Sequence, residues 1–200
     1  MTTKPFALSL LVAAAVGVPT AALAHAGHGE ASGFLHGLAH PVGGLDHVLA
    51  MVMVGVLAWQ LGGRALWMIP LCFVGVMAVG GALGVAGFAV PAIEVGIALS
   101  IVVLGAVVAF GARAPLAALL ALVGFFAIFH GSAHGAEMPE NAGGLAYGLG
   151  FLGATAALHL AGLGLGYALG RIGERTNPIA VRAVGGLTAL AGLGIVTGLV

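Results

Sequence analysis

The sequence predicts an all-α membrane protein in which six transmembrane helices follow a cleavable N-terminal signal peptide. Three observations carry that prediction. Charged residues make up 6% of the chain and hydrophobic residues 61%, whereas a soluble domain needs about 25% charged residues to cover its surface. The apolar residues are gathered into six runs, each long enough, or nearly so, to cross a bilayer as a helix. Ahead of them, residues 1–24 place a basic residue before a short apolar core and an A-x-A cleavage site.

The same composition removes several function classes. Formal net charge is zero and there is no basic block, so nucleic-acid binding has no support. No G-x-x-x-x-G-K-[ST] motif occurs, so the 36 glycines are read as helix-packing positions in lipid, as in Gly144-x-x-x-Gly148 and Gly162-x-x-x-Gly166-x-x-x-Gly170. The single cysteine, Cys72, excludes an intrachain disulfide and lies in an apolar run as a small buried hydrophobe.

In the signal, Lys4 is the positive start, Phe6 to Val18 the apolar core, and Ala22-Leu23-Ala24 the cleavage site. Cleavage gives a mature chain starting at His25, with its N-terminus periplasmic at a bacterial inner membrane; an uncleaved first helix is the rival. Residues 25–44 then form an extracytoplasmic, histidine-containing segment, and residues 45–200 the six-helix membrane domain. Its apolar runs are Leu45–Leu61, Ala65–Val85, Pro91–Phe110, Ala114–Phe129, Gly143–Leu169 and Ala180–Val200. The fourth is short unless it continues through His130 to Gly135, and the fifth is long enough to be tilted or partly outside the hydrocarbon. With the N-terminus outside, the basic residues of the mature chain, Arg64, Arg113, Arg171, Arg175 and Arg182, all fall on the cytoplasmic side.

That topology sends two sequence-distant histidine clusters to one face of the membrane. The first is His36, His40, Asp46 and His47, where Pro41 and the pair Gly43-Gly44 predict a bent or re-entrant entry to the first helix. The second is His130, His134 and Glu137, at i, i+4 and i+7 on one face if the stretch stays helical. Any one of these histidines alone is better read as a hydrogen-bonded interfacial residue. Three histidines and an aspartate within twelve residues, with a second cluster behind them, favour a divalent transition metal. Mixed nitrogen and oxygen donors without thiolate suit Ni²⁺, Co²⁺ or Zn²⁺ better than Cu⁺. There are more donors than one four-coordinate site needs, so either a subset binds or there are two sequential sites.

Other residues divide between chemistry and packing. His159 lies near the middle of the fifth run, either hydrogen-bonded to a neighbouring helix or the next stop for an ion. Glu94, at the outer start of the third run, is a candidate acceptor beside the ligands. His25 and His28 are candidates for metal capture by the N-terminus. Met51 and Met53, two apart, point to different sides of a helix and read as core, and Ser100 reads as helix-packing glue. His-Gly-x-Ala-His occurs at both His36–His40 and His130–His134, but its placement does not fit an inverted repeat.

At these residues the chain resembles the HupE/UreJ family, membrane proteins encoded with hydrogenase and urease and regarded as nickel (or cobalt) permeases. The resemblance rests on a histidine, five residues and Asp-His, here His40 to Asp46-His47, and on Phe129-His130-Gly131-Ser132-Ala133-His134-Gly135-Ala136-Glu137. It implies nickel uptake that requires His40, Asp46, His47, His130, His134 and Glu137, with no prosthetic group. With no nucleotide site and no ATPase subunit evident, such transport would be passive or coupled to an ion gradient. The partners expected are the lipid bilayer and the ion, and the oligomeric state is left open. Two other classes use the same donors: a membrane-embedded Zn²⁺ hydrolase with Glu137 or Asp46 as base, and a metal sensor or chaperone without transport.

Overall fold

Within hydrocarbon there is no water to satisfy backbone N–H and C=O groups, so an apolar run must close its hydrogen bonds internally as a helix. The computed structural model describes residues 30–111, 113–138, 143–171 and 178–199. These form seven helices and no strand: α1 (Glu30–Gly43), α2 (Leu45–Leu61), α3 (Ala65–Val85), α4 (Ile93–Phe110), α5 (Leu116–Ala136), α6 (Gly144–Arg171) and α7 (Pro178–Val196). Helices α3 to α7 are each long and apolar enough to cross a membrane, and α1 with α2 adds a further candidate as one broken span bent by 85°. The chain is a multi-pass helical membrane protein.

Several boundaries have local causes. The third apolar run becomes helical only at Ile93, after Pro91 and a left-handed Ala92 (φ 54°). The fourth starts behind Pro115 and continues past Phe129 to Ala136, carrying His130 and His134 on its last turns. Glu137 is the C-cap rather than a helical residue. Residues 30–43, expected only as a segment leading into a bent entry, are themselves a helix. Pro41 is tolerated because only Val42 and Gly43 follow it, so little helix is lost to its missing N–H. The bend falls at Gly44, where the backbone is extended (φ −104°, ψ 122°). The predicted signal peptide, His25, His28, Glu140 and Arg175 lie outside the described residues.

Helix α2 is the hub, packing against α1, α3, α4, α6 and α7. Its middle, Ala50 to Ala58, is almost wholly buried, with Met51 and Met53 in the core as expected. A helix apolar on every side belongs in a core or in lipid, and α2 lies in the core. By contrast α3 and α7 turn Leu71, Val79, Leu187 and Leu190 outward, as lipid-facing helices do.

Around this hub the helices meet backbone to backbone at glycines. A methyl on Gly131 of α5 would collide with the Met77 carbonyl of α3, and one on Gly84 of α3 with the Ser132 carbonyl of α5. Gly55 and Gly162 do the same for α2 and α6, and Gly37 and Gly150 for α1 and α6. The stripe Gly162, Gly166, Gly170 packs as expected, the last two beneath the Trp59 ring. Gly144-x-x-x-Gly148 does not: a methyl on Gly148 would meet nothing within 4 Å, and the close approach in that part of α6 belongs to Gly150. Spacing marks small residues but not which face of α6 is covered.

One methyl at Gly131 therefore has nowhere to go. Gly131→Ala is expected to destabilise the purified protein by about 1–3 kcal/mol through overpacking, lowering its thermal unfolding midpoint in detergent. Gly148→Ala should leave the midpoint unchanged or slightly raised.

Candidate metal centre

Four helix ends build the site. The α1–α2 bend supplies His40, Asp46 and His47, α5 supplies His130 and His134, its C-cap supplies Glu137, and the start of α4 supplies Glu94. A cavity of about 460 Å³ is lined by His36, His40, Asp46, His47, Glu94, His134 and Glu137 together. Both histidine clusters thus open on one recess, and Glu94, 48 residues from Asp46, joins them. His36 and Glu94 are exposed on its wall.

Inside the recess the contacts are close and graded in burial. His40 Nε2 lies 2.8 Å from His134 Nδ1, and Glu137 Oε2 is 3.6 Å and 3.7 Å from those two atoms. Two ligands bound at about 2.1 Å and 90–109° to one cation sit roughly 3.0–3.4 Å apart, so this triangle is near the size of a metal site. On the other edge of the same ring, His134 Nε2 lies 3.0 Å from His47 Nδ1, which lies 3.1 Å from His130 Nδ1. Glu137 is 57% exposed, His134 15%, His47 2% and His130 0%, which orders the donors from solvent inward.

The inner contacts carry an electrostatic constraint. One hydrogen on His47 Nδ1 can satisfy a linear contact to His130 or to His134 but not both. One of the two contacts is therefore left without a linear hydrogen bond, and a cation shared by these nitrogens would relieve it. His47 Nε2 is also buried without a hydrogen-bond partner among the described residues. Asp46 Oδ1 accepts the His47 backbone N–H at 2.7 Å. A carboxylate in the first turn also suits the positive end of the α2 dipole.

His159 is placed deeper. It is 1% exposed, and neither ring nitrogen has a hydrogen-bond partner among the described residues. The Phe73 ring stands between the two levels, its centroid 5.6 Å from that of His130 and 5.4 Å from that of His159.

Sequence reasoning missed the aromatic walls. Phe151 packs against His134 (4.7 Å between centroids), His47 (5.5 Å) and His40 (6.4 Å), and Tyr147 lies 5.9 Å from His40. An aromatic in an apolar run looks like any core residue, so only the fold identifies these. Ser100, read as packing glue, instead touches His130: its Oγ is 2.9 Å from Nε2. Cys72 and the two core methionines take no part.

A polytopic helical membrane protein with an imidazole- and carboxylate-lined recess at one end of its bundle is the class these features define. Within that class the chain belongs to the HupE/UreJ family, whose model, described as HupE / UreJ protein, matches residues 12–195. It is also 46% identical over 185 residues to Protein HupE of Rhizobium leguminosarum bv. viciae, covering 92% of this chain and 95% of that one. No solved structure matches it.

Because a methyl on Gly44 would lie 2.6 Å from Asp46 Oδ1, Gly44→Ala should turn that carboxylate away from the His47 backbone N–H it accepts and loosen the turn that carries His47. Affinity of the purified protein for Ni²⁺, measured by isothermal titration calorimetry, is expected to fall about tenfold, the lower range for losing a group that orients a metal ligand.

Proposed function

We propose that the protein is a secondary permease of a bacterial inner membrane that admits Ni²⁺, with Co²⁺ as the alternative cargo, from periplasm to cytoplasm. On this reading residues 1–24 are removed, 25–44 lie on the periplasmic side, and 45–200 form the permease, with α1 and α2 sharing the first of six spans. Family membership supports the class of activity. The observation that carries the mechanism is that His134 faces partners through both ring nitrogens, His40 and Glu137 by Nδ1 and His47 by Nε2.

Two adjoining loci that share one imidazole make a transfer device. At the outer locus, His40, His134 and Glu137 replace water on an arriving ion, with His36, Glu94 and the N-terminal His25 and His28 supplying weaker first contacts. At the inner locus, His47 and His130 take it over, His134 exchanging one ring nitrogen for the other. Neither locus is a closed four-ligand cage, so an ion is held tightly enough to enter and loosely enough to leave. His159, with two unpartnered nitrogens, is the next stop inward, past Phe73. Ligation requires unprotonated imidazole, so a proton competes with the ion for the same nitrogen and binding weakens as pH falls. That linkage makes proton coupling the natural partner of passive entry.

Uptake of labelled Ni²⁺ into liposomes holding the purified protein tests the reading, with and without a proton gradient. Saturable entry is expected, reduced at least tenfold by His134→Ala. Glu137→Gln should raise the half-saturating concentration while leaving the maximal rate within about twofold, whereas His130→Ala should lower the maximal rate. Normal entry by both histidine variants would sink the site. Tightly bound Zn²⁺ without entry would favour a membrane-embedded hydrolase built on the same donors.

A further inference from the structure

His130 is buried to 0% exposure, and its two ring nitrogens face different partners: Nδ1 faces His47 Nδ1 at 3.1 Å and Nε2 faces Ser100 Oγ at 2.9 Å. A neutral imidazole has one N–H, and only the other nitrogen carries a lone pair for a metal. Which nitrogen that is cannot be left to chance in a buried site, and a neighbouring hydroxyl decides it.

The Ser100 hydroxyl oxygen also lies 2.6 Å from the Ile97 carbonyl oxygen. A carbonyl has no hydrogen to give, so an oxygen–oxygen separation this short must contain the serine's own hydroxyl hydrogen. Ser100 then offers His130 only lone pairs, and the 2.9 Å contact is made by an N–H on Nε2. The remaining nitrogen, Nδ1, is left with its lone pair, and it is the one that faces His47.

We propose that Ser100 is a positioning residue that locks His130 as the Nε2–H tautomer and so presents Nδ1 as the inner ligand. This rests on the metal-site reading given above. A serine bonding back to the carbonyl three residues earlier is common inside helices and by itself signifies nothing. Here the habit is put to use by the packing of α4 on α5. Gly96 has no side chain where the Phe129 ring lies, since a Cβ there would collide with the ring. One turn further along α4, Ser100 is thereby brought against His130, the residue after Phe129. Glycine and serine four apart on one helix face thus seat two consecutive residues of the other. Among the described residues Nε2 has no other hydrogen-bond partner, and Ser100→Ala would leave a buried N–H bare or let the proton move to Nδ1.

Two measurements on the full-length protein in detergent test this. In the metal-free state, ¹⁵N spectra of histidine-labelled wild type should show His130 as the Nε2–H form, with a shift toward the Nδ1–H form in Ser100→Ala and little change in Ser100→Thr, which keeps the hydroxyl. Calorimetric Ni²⁺ affinity should fall about 10- to 100-fold in Ser100→Ala and stay within about threefold in Ser100→Thr. His130→Ala is run beside them. If it loses affinity while Ser100→Ala keeps both the wild-type tautomer and the wild-type affinity, the role of Ser100 is overturned and the site stands. If wild type binds no Ni²⁺, or His130→Ala binds it as wild type does, the site reading falls and this inference with it. Unchanged signals from His36 and His159, which share no hydrogen bond with His130, separate a tautomer change in Ser100→Ala from general disruption.

Discussion

Everything at the candidate site depends on how near the helices come to one another. An imidazole reaches only a few ångströms from its own backbone, so side chains on three helices meet at 2.8–3.1 Å only where those helices are closely packed. In lipid, exclusion of water does not drive helices together, and close backbone contact must supply the attraction. The glycines shared by α3 with α5, α2 with α6 and α1 with α6 allow it. They do so on the helices that bear the ligands and their walls: α5 carries His130 and His134, α2 carries His47, and α6 carries Phe151 and His159. The abundance of glycine is therefore part of how the recess is made, although no glycine contributes a ligand.

The second constraint is the gradient of burial. A carboxylate deep in the bundle would be charged and poorly solvated, whereas a neutral imidazole is far less costly there. The donors follow that order, with Glu137 and Glu94 exposed at the rim and His47, His130 and His159 inside. On the proposed function this ordering has a use. Charge at the mouth attracts a cation while it is still hydrated, and neutral nitrogen donors take over where water has thinned. The apolar rings of Phe151 and Phe73 exclude water beside those nitrogens, which strengthens any ion–ligand contact made there.

Much of the fold was legible because lipid imposes a simple rule. Leu45–Leu61 and Ala65–Val85 are helices over the same residues that composition marks as apolar. The rule weakens where polar residues extend a helix. His130 to Ala136 looks like an ending yet continues α5, because α3 shields one side of it through Gly80 and Gly84. Residues 30–43 carry Gly33, Gly37, Pro41 and Gly43, which argue against a helix, and it is packing on α6 that supports them. At the candidate site, residue type and spacing named the histidines and carboxylates that the fold gathers around one recess. They could not order the donors, give His134 two sets of partners, or raise Ser100 above packing. Those are facts of three dimensions, and a lone serine in an apolar run carries no mark of them.

The two-faced placement of His134 bears on why a permease would use imidazole at all. A carboxylate can shift an ion between its two oxygens, but they lie close together and on one side. A thiolate holds a soft metal too firmly to release it quickly. Imidazole has two nitrogens on different edges of a flat ring, so one residue can serve loci on opposite sides of itself. The exchange requires the proton to move to the nitrogen just vacated, and a neighbour able to accept or supply it is needed at each end. His40 at Nδ1 and His47 at Nε2 are placed for that role. Where such exchange is not wanted, the ring must be fixed, and His130 with Ser100 on its far edge is such a ring. The inner end of the cluster is then a fixed receiver and its middle a movable donor. On the proposed function that asymmetry shapes how the ion is handed between the loci, while the gradient across the membrane sets the net direction of passage.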